Sequence, residues 1–153
     1  MKKAIVIAGS RGIGKGIADS LKSINLDVIT TSQKDLDTSK IDSVDNFLKK
    51  NTSTDILVMN TGGPPSKKFK EITQEDCKKY HNQLFYSFFK ILQNIHIKDG
   101  GYIFLISSYN IKEPSEKLLL SNSYRVAFAS VLKCLSKEYA KRNFTTINIA
   151  PGP

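Results

Sequence analysis

Four glycines near the amino terminus are spaced for binding a phosphate group. Gly9, Gly12, Gly14 and Gly16 follow a short apolar run at residues 4–8, and apolar residues at helical spacing come next. This order predicts a strand, a glycine-rich turn and a helix. Glycine lets the backbone lie against a ligand, and the first turn of a helix offers unpaired N–H groups and the positive end of its dipole to a phosphate. The segment therefore predicts a dinucleotide-binding site.

The elements that would position this site alternate along the chain. Strands are predicted at 27–31, 55–60, 102–107 and 144–150, and helices at 42–50, 75–97 and 119–141, with Asp99-Gly100-Gly101 ending the second of these. This alternation predicts a Rossmann-type doubly wound parallel sheet in a three-layer α/β/α arrangement, with residues 1–153 as one domain. The interval between the second strand and Asp37 is short, and we expect a very short third strand near 36–38.

Composition and charge exclude several classes of function. The net charge is +9, but the lysines are scattered and no segment interleaves them with aromatic residues, so we expect no nucleic-acid partner. His81 and His96 have no further ligands at metal-binding spacing, so no metal is expected. No apolar run approaches the roughly 18–20 residues that span a bilayer, and no signal peptide is evident. Cys77 and Cys134 are expected to be reduced thiols, which indicates a cytoplasmic protein.

Five stretches, in this order, resemble the short-chain dehydrogenase/reductase family. Residues 7–14, Ile-Ala-Gly-Ser-Arg-Gly-Ile-Gly, are similar to the family motif Thr-Gly-x-x-x-Gly-x-Gly, with Ala8 where the family usually has glycine. The others are Asp37-Thr38, Asn60-Thr61-Gly62, Ile106-Ser107-Ser108 and Pro151-Gly152. The run Asn-x-Gly-Gly-Pro-Pro further resembles relatives of 3-oxoacyl-[acyl-carrier-protein] reductase. Because family members continue past Pro-Gly, we expect a fold that is C-terminally incomplete relative to the family.

The resemblance implies a nicotinamide cofactor held at the carboxyl ends of the strands. The pyrophosphate and the adenosine ribose would contact Gly9, Ser10, Arg11, Gly12, Ile13 and Gly14. Asp37 would meet the adenine, Asn60 and Gly62 the ribose side, and Pro151 and Gly152 the nicotinamide.

Cofactor choice is predicted from the end of the second strand. An acid there would bind the ribose hydroxyls and repel a 2′-phosphate, but no acid precedes Asp35. Ser32, Lys34 and Arg11 could instead donate charge-assisted hydrogen bonds to a phosphate. The sequence therefore favours NADP(H) over NADH.

The resemblance implies catalytic residues that differ from the family pattern. Family members use a serine, a Tyr-x-x-x-Lys helix and an asparagine on the preceding helix. Ser108 matches the serine, whereas Ser121 and Arg125 stand for the tyrosine and the lysine, and Leu84 for the asparagine. A serine hydroxyl is far less acidic than a tyrosine hydroxyl, whose pKa is ~10, so Ser121 is a poor proton donor. The guanidinium of Arg125 cannot relay a proton, although it can orient the cofactor. Tyr109, directly after Ser108, is an alternative proton donor.

Two functions stay open on the residues alone. The first is an NADP(H)-dependent oxidoreductase that acts on a small carbonyl or alcohol substrate, such as a 3-oxoacyl thioester. The second is a catalytically impaired sensor or assembly protein that binds the cofactor. The resemblance implies a homo-oligomer, a dimer or a tetramer, formed through the helices at 75–97 and 119–141.

Overall fold

The strands form a five-stranded parallel sheet in the order β2-β1-β3-β4-β5. The computed structural model of the chain describes residues 1–152. Its strands are β1 (Lys3–Val6), β2 (Asp27–Thr30), β3 (Ser53–Met59), β4 (His96–Ile106) and β5 (Thr145–Ile149). In the register, Ala4 of β1 lies between Val28 of β2 and Ile56 of β3. The predicted Rossmann-type parallel sheet is confirmed.

Five helices connect these strands and cover both faces of the sheet. They are α1 (Gly12–Ser23), α2 (Ile41–Lys50), α3 (Gln74–His81), α4 (Ser87–Asn94) and α5 (Leu119–Tyr139), with a π-helical turn at Asn82–Tyr86 between α3 and α4. The chain leaves β1 through α1 toward β2 and returns through α2 to β3 on the other side of β1. Ligands of such sheets bind where the connections diverge, at the carboxyl ends of the strands. Here that point lies between β1 and β3.

The core has one layer on each face of the sheet. On one face, Ile5, Leu57 and Ile103 belong to a buried cluster with Phe88 of α4 and Phe128 of α5. On the other face, Ala4, Val6, Ile56 and Val58 pack with Ala18 of α1. Burial of each large side chain contributes about 1.5–3 kcal/mol, so the sheet is fixed between its helices mainly by this packing.

The predicted short strand near 36–38 is wrong. Residues 32–40 form hydrogen-bonded turns, in which the backbone N–H groups of Asp35 and Leu36 donate to the Ser32 carbonyl oxygen. The carboxylate of Asp37 also accepts hydrogen bonds from Ser39. Since short polar side chains and local turns satisfy this backbone, the segment needs no neighbouring strand. Leu36 is nevertheless buried in the core, which explains why the segment resembled a strand.

The predicted helix end at Asp99-Gly100-Gly101 is also wrong. Helix α4 ends at Asn94, and β4 already begins at His96. The His96 N–H donates to the Thr52 carbonyl oxygen over 2.8 Å, so pairing with β3 ends the helical pattern. The two glycines lie inside β4, where the register with β3 shifts between Thr54 and Ile56. Gly100 has a φ of 75°, which permits this irregularity.

Within residues 1–152, no helix is long and apolar enough to cross a membrane. The same part of the chain holds no group of three or more His, Cys, Asp or Glu residues that could bind a metal ion. Cys77 and Cys134 are both free thiols.

Candidate functional site

A cavity of about 470 Å³ opens at the carboxyl ends of β1 and β3. We call it the β1–β3 cavity. Among the residues singled out in the sequence, it is lined by Ser10, Arg11, Gly12, Ile13, Asp37, Asn60 and Gly62. Its wall also includes Gln33, Thr38, Thr61, Gly63, Lys79, Tyr80 and Gln83. The structure therefore brings together residues from three separate predicted stretches at the topological switch point of the sheet.

The glycines of the first turn have different structural tasks. A Cβ at Gly9 would lie 2.9 Å from the Val6 carbonyl oxygen and 3.0 Å from Cγ2 of Thr30, so Gly9 lets the turn pack onto the strands. A Cβ at Gly14 would overlap the Ala8 carbonyl oxygen and come within 2.8 Å of Nδ2 of Asn60. Gly12 has a φ of 55° and space around it. Gly9 and Gly14 thus shape the turn from behind, while Gly12 faces the cavity.

Ala8 occupies a backbone conformation that favours glycine. Its φ is 52°, in the left-handed region, which costs an alanine about 1–2 kcal/mol. Two side chains hold it there. Its N–H donates to Oγ1 of Thr31 over 3.0 Å, and its carbonyl oxygen accepts from Nδ2 of Asn60 over 3.3 Å. The methyl group is therefore tolerated at the position where the family usually has glycine.

The loop after β3 forms the floor of the cavity. Asn60 contacts the first turn through Ala8, and the hydroxyl of Thr61 lies 3.1 Å from that of Thr38. The Gly62 carbonyl oxygen accepts a hydrogen bond of 2.7 Å from Nε2 of Gln83. Three different parts of the chain thus fix three consecutive residues of the floor.

Asp37 places a carboxylate on the cavity wall. Burial alone would raise its pKa, but hydrogen bonds from the hydroxyl and the N–H of Ser39 outweigh burial, so the pKa of Asp37 is lowered overall. The N–H of Asp37 is held by Oγ of Ser43 over 2.9 Å. The carboxylate is consequently charged at neutral pH and fixed in position, as an acceptor for amino or hydroxyl groups of a ligand.

Ser32 does not line the β1–β3 cavity. Its hydroxyl donates to the carboxylate of Asp35 over 2.6 Å, and its N–H donates to the same oxygen over 2.8 Å. Gln33, the next residue, lines the cavity together with Arg11. Sequence reasoning missed Gln33. The signal available for it was its place just past the end of β2, where the backbone turns toward the cavity.

Arg125 and Ser121 meet beside the floor of the cavity. Nε of Arg125 donates to Oγ of Ser121 over 3.1 Å. The other guanidinium nitrogens donate to the carbonyl oxygens of Ile106, Ser107 and Thr61, over 3.2, 3.4 and 3.2 Å. A Cβ on Gly63 would lie 3.6 Å from both Nη2 of Arg125 and Oγ of Ser121, so the pair adjoins the cavity wall. The predicted pair is therefore assembled, one residue from the cavity floor.

The guanidinium of Arg125 is partly buried and has no carboxylate partner in the part of the chain that the structure describes. Burial lowers the pKa of Arg125, although an arginine stays protonated under ordinary conditions. Backbone carbonyl dipoles stabilise the charge in place of an acid. A partly buried positive charge that lacks a carboxylate partner favours an anion or a developing negative charge beside it.

Ser108 lies at the end of β4, as predicted, and begins a short 3₁₀ turn at Tyr109–Ile111. Its hydroxyl oxygen accepts a hydrogen bond of 3.2 Å from the N–H of Asn110 and one of 3.4 Å from Nδ2 of the same residue. A serine hydroxyl has two acceptor positions and one proton. Since both acceptor positions are directed at Asn110, the proton of Ser108 is available for donation elsewhere.

Other candidate residues lie outside the cavity. Tyr109 is 43% exposed, and its N–H donates to the Pro151 carbonyl oxygen over 2.8 Å. Pro151 is therefore anchored at Tyr109, next to Ser108, and neither Pro151 nor Gly152 lines the cavity. Tyr124 is turned away into a smaller buried cluster, where its hydroxyl donates to the Cys77 carbonyl oxygen and burial raises its pKa.

The π-helical turn determines which residue of the long helical segment reaches the site. Leu84 is buried in a cluster with Tyr80 and Leu120. Gln83, one residue earlier, lines the cavity and binds the floor at Gly62. A π turn inserts one residue into the helical repeat and rotates the side chains that follow. On this helical segment, the amide that lines the cavity is therefore that of Gln83, and uniform helical spacing could not have indicated it.

The comparisons with known proteins agree with this geometry. The family model described as short chain dehydrogenase matches residues 30–153. A hydroxynaphthalene reductase-like protein of Metarhizium brunneum is 27% identical over 181 aligned positions, which take in 99% of this chain and 67% of that protein.

Solved structures show the same fold. A variant of a short-chain dehydrogenase/reductase of Serratia marcescens superposes with a TM-score of 0.90 at 25% identity, covering 99% of this chain and 78% of that chain. A blue fluorescent protein from a metagenomic library, solved in complex with NADPH, superposes with a TM-score of 0.81 at 20% identity, covering 99% and 74%. With its parallel sheet, its glycine turn and a family match over more than half of its length, this chain belongs to the short-chain dehydrogenase family.

Proposed function

We propose that this protein is an NADP(H)-dependent oxidoreductase that acts on a carbonyl or alcohol group of a small molecule, with 3-oxoacyl thioesters as one candidate class. The observation that carries the proposal is the union of two features at one end of the sheet. The β1–β3 cavity offers groups for a dinucleotide, and Arg125 with Ser121 adjoins the cavity beside Gly63. Membership of the short-chain dehydrogenase family supports the same reading.

The residues of the cavity fit a dinucleotide. Helix α1 begins at Gly12, and its N-cap residue Arg11 makes no capping hydrogen bond, so the first N–H groups of the helix are free for a phosphate. Arg11 and Ser10 add a cation and a hydroxyl donor on the same wall. Asp37 would accept hydrogen bonds from the adenine, and Asn60 and Gly62 would pack against the ribose. Gly9, Ile13 and Gly14 would shape the turn beneath the pyrophosphate.

Arg11 carries the proposed preference for NADP(H). The segment 30–34 contains no acid, and Asp35 accepts hydrogen bonds from Ser32 and does not line the β1–β3 cavity. Gln33 supplies an amide donor near Arg11. A guanidinium with a neutral donor suits a 2′-phosphate better than a ribose hydroxyl pair.

The proposed chemistry needs a hydride donor, a hydrogen bond to the substrate oxygen and a proton. The bound nicotinamide would supply the hydride to the carbonyl carbon. The Ser108 proton is available for a hydrogen bond to the carbonyl oxygen, because Asn110 occupies the acceptor side of that hydroxyl. The Arg125 charge would offset the negative charge that develops on the oxygen. The proton that completes the alcohol would come from water held by Ser121, or from Tyr109.

The test measures cofactor binding and turnover separately. Calorimetry with NADPH and NADH gives the two affinities, and loss of NADPH absorbance with simple ketones and 3-oxoacyl thioesters gives the rate. We expect tighter binding of NADPH and measurable turnover. Absence of binding to either cofactor would refute the proposal as a whole.

A second function is supported by the engagement of Arg125. Its guanidinium is shared among three carbonyl oxygens and Ser121, and no tyrosine hydroxyl contacts it within the described residues. Such a site could bind the cofactor and lack a competent proton donor, as in a sensor or assembly protein. Binding of NADPH without turnover of any carbonyl substrate would favour this function over the first.

Family membership also supports a homo-oligomer formed through α3, α4 and α5. Light scattering coupled to size-exclusion chromatography tests this. A mass of two or four chains agrees with the proposal, and a monomer at micromolar concentration contradicts it.

A further inference from the structure

Strand β2 forms one free edge of the sheet. It is outermost in the strand order and pairs with β1 alone. Six-stranded Rossmann sheets place a further strand outside this position. In this chain the turns at residues 32–40 lead directly into α2, so within residues 1–152 no strand pairs with the outer side of β2. The edge is therefore open to a strand from another molecule.

Two residues of β2 direct their backbone groups outward. The N–H of Thr31 donates to the Val6 carbonyl oxygen over 3.2 Å, and the N–H of Asp27 donates to the residue before β1 over 3.0 Å. Alternate residues of a strand face the same neighbouring strand. The N–H and carbonyl groups of Val28 and Thr30 consequently point away from β1, where an added strand would use them as donors and acceptors.

A groove of about 630 Å³ runs between this edge and α2. We call it the edge groove. Ile29 and Phe47 give it an apolar part, and Lys34, Asp35 and Lys50 are its charged residues. Its volume lies within the range of about 300–1,000 Å³ that ligand sites have. The groove thus offers a side-chain pocket next to the free backbone groups, which is the combination that strand-adding peptides require.

The other outer strand of the sheet has no such walls. Strand β5 is exposed at four of its five residues, whereas Val28, Ile29 and Thr30 of β2 are half-buried although they lie at an edge. A strand that added to β2 would bury side chains against α2 as well as pair its backbone. This difference favours β2 over β5 as a docking site.

We propose that the edge groove binds an extended acidic segment of a partner protein, which adds to the sheet as a strand beside β2. The groove shares no lining residue with the β1–β3 cavity. The proposal is therefore independent of the cofactor and of the proposed reaction.

The two lysines of the groove explain why the segment is acidic. Lys34 follows β2 at the carboxyl end of the sheet, and α2 runs from there back to the start of β3, so Lys50 lies toward the opposite end. Helix α2 has ten residues and is about 15 Å long. Carboxylates four residues apart on an added strand would be separated by about 13 Å and would face the same side, each toward one lysine. The carboxylate of Asp35 already accepts two hydrogen bonds from Ser32.

Charge also argues against a second copy of this chain as the occupant. A two-fold contact through β2 would bring the same lysines of both copies to one interface. The net charge of +9 on each chain adds to this repulsion and attracts an acidic partner instead.

The first experiment tests the location. The probe is the peptide acetyl-Thr-Glu-Thr-Val-Thr-Glu-Thr-amide, titrated into the ¹⁵N-labelled full chain without cofactor and followed by NMR. The amide signals of Val28 and Thr30 should shift to saturation. Since the Ser107 N–H donates to the Ile149 carbonyl oxygen, Thr146 is an outward residue of the β5 edge, and its signal should stay unchanged. Shifts at Thr146 in place of those at β2 overturn the proposal.

A pair of proline variants tests the backbone pairing. Proline is tolerated in an edge strand where the N–H points outward. Thr30→Pro removes one outward donor of β2 and should weaken binding at least about tenfold. Thr146→Pro makes the same change at the β5 edge and should bind as wild type does. If Thr30→Pro fails to fold by circular dichroism, a peptide methylated at its three central backbone nitrogens replaces it and should bind at least about tenfold more weakly. Equal affinity in these comparisons overturns the proposal.

The second experiment tests the charge. In Lys34→Glu with Lys50→Glu, the affinity for the acidic peptide should fall at least about tenfold, and the affinity for the same peptide with lysine in place of glutamate should rise. Lys133→Glu with Lys137→Glu changes the net charge equally on the exposed side of α5 and is the control, which should bind as wild type does. Equal losses in both double variants would mean that only the overall charge matters, and would overturn the assignment to the groove.

A titration of the protein concentration without peptide tests the second copy. We expect the Val28 and Thr30 signals to stay constant. Shifts of these signals with rising concentration would assign the edge to a second copy and overturn the acidic partner. None of these measurements involves NADPH, so their failure leaves the proposed oxidoreductase function untouched, and failure to bind NADPH leaves the edge groove untouched.

Discussion

Nε of Arg125 donates a hydrogen bond to the hydroxyl of Ser121, 3.1 Å away and one helical turn earlier on α5. The other two guanidinium nitrogens, Nη1 and Nη2, donate to carbonyl oxygens just after β3 and at the end of β4. The arginine therefore ties two strands and a helix together at the place where the family resemblance puts its lysine. This double task, structural and electrostatic, makes the residue the first target for mutation.

Loss of the Arg125 side chain should reduce stability. Arg125→Met leaves the carbonyl oxygens of Thr61, Ile106 and Ser107 without their donor, and we expect a loss of about 2–4 kcal/mol in the free energy of unfolding. Arg125→Lys keeps the charge but cannot span all of these partners, so it should lose less. Urea denaturation measures both. Lys133→Met, at an exposed position of the same helix, is the control and should stay within about 0.5 kcal/mol of wild type. An Arg125→Met protein as stable as wild type would contradict the structural role.

Restoring the family pair should increase turnover if the proton donor is limiting. In the double variant Ser121→Tyr with Arg125→Lys, a tyrosine beside an ammonium group replaces a weak serine donor. Well-placed acid catalysis contributes about 100-fold or more, so kcat with a simple ketone should rise by that order. The variant Ser121→Phe with Arg125→Lys has the same bulk without the hydroxyl and should show no rise. An unchanged kcat with intact NADPH binding would mean that proton supply is not the limiting step.

Two glycines of the same turn and helix should respond in opposite ways to alanine. A methyl group at Gly14 would overlap the Ala8 carbonyl oxygen and crowd Asn60, so Gly14→Ala should weaken NADPH binding and lower the melting temperature. Gly16 lies in α1 with nothing near its added Cβ, and Gly16→Ala should stabilise by up to about 1 kcal/mol through helix propensity. Thermal melts with and without NADPH compare the pair. Equal effects of the two substitutions would show that the turn does not depend on close packing.

Cofactor preference should depend on Arg11. In Arg11→Ala, the affinity for NADPH should fall about ten- to hundredfold, because a charge-assisted bond to the 2′-phosphate contributes roughly 1.5–3 kcal/mol, while the affinity for NADH should change little. Lys15 is exposed on α1, pairs with Asp19 and does not line the cavity, so Lys15→Ala should affect neither affinity. Calorimetric titrations decide the matter. A parallel loss for both cofactors would assign Arg11 to the pyrophosphate instead.

Asp76 should contribute a pH-dependent part of the stability. A hydrogen bond from Lys67, with further ones from the N–H and hydroxyl of Thr73, lowers its pKa from 3.8 to about 2. Because the pKa of Asp76 is lower in the folded than in the unfolded chain, its carboxylate stabilises the folded protein at pH values above the unfolded pKa. This stabilisation is lost as the pH falls from about 4 to about 2.

Asp76→Asn should therefore lower the melting temperature at neutral pH by about 2–4 °C. The difference from wild type should shrink below pH ~4 and vanish near pH ~2. Glu75→Gln, in the same helical turn but with a mostly exposed carboxylate, is the control. A difference that stays constant with pH would disprove the assigned role of the carboxylate.

The fold could be predicted from the sequence because its signals are local. The run from Ala4 to Ile7 is apolar, and the glycine turn and the spacing of α1 follow at once, so the first strand, turn and helix were recognisable without tertiary information. The strand expected near 36–38 was wrong, because Leu36 is buried in the core with residues of α2 and the sheet although its segment is not a strand. The start of β4 was hidden as well, since His96 pairs with β3 at the point where the helical pattern continues.

The residues of the site were predictable only where they directly follow a strand or turn that the sequence itself indicates. Arg11, Asp37 and Asn60 follow strands or turns directly and reach the cavity as expected. Gln83 was missed because the π turn changes the helical repeat, and Asn110 was missed because its contact with Ser108 depends on a 3₁₀ turn. Both are tertiary or local-geometry effects that residue spacing does not encode.

The three anchored residues of the cavity floor have a thermodynamic consequence. Asn60 is tied to the first turn, Thr61 to Arg125 and to Thr38, and Gly62 to Gln83 before any ligand arrives. A surface that is already ordered loses little conformational entropy on association. Cofactor binding should therefore carry a small entropic penalty for this part of the chain, which titration calorimetry of NADPH can measure.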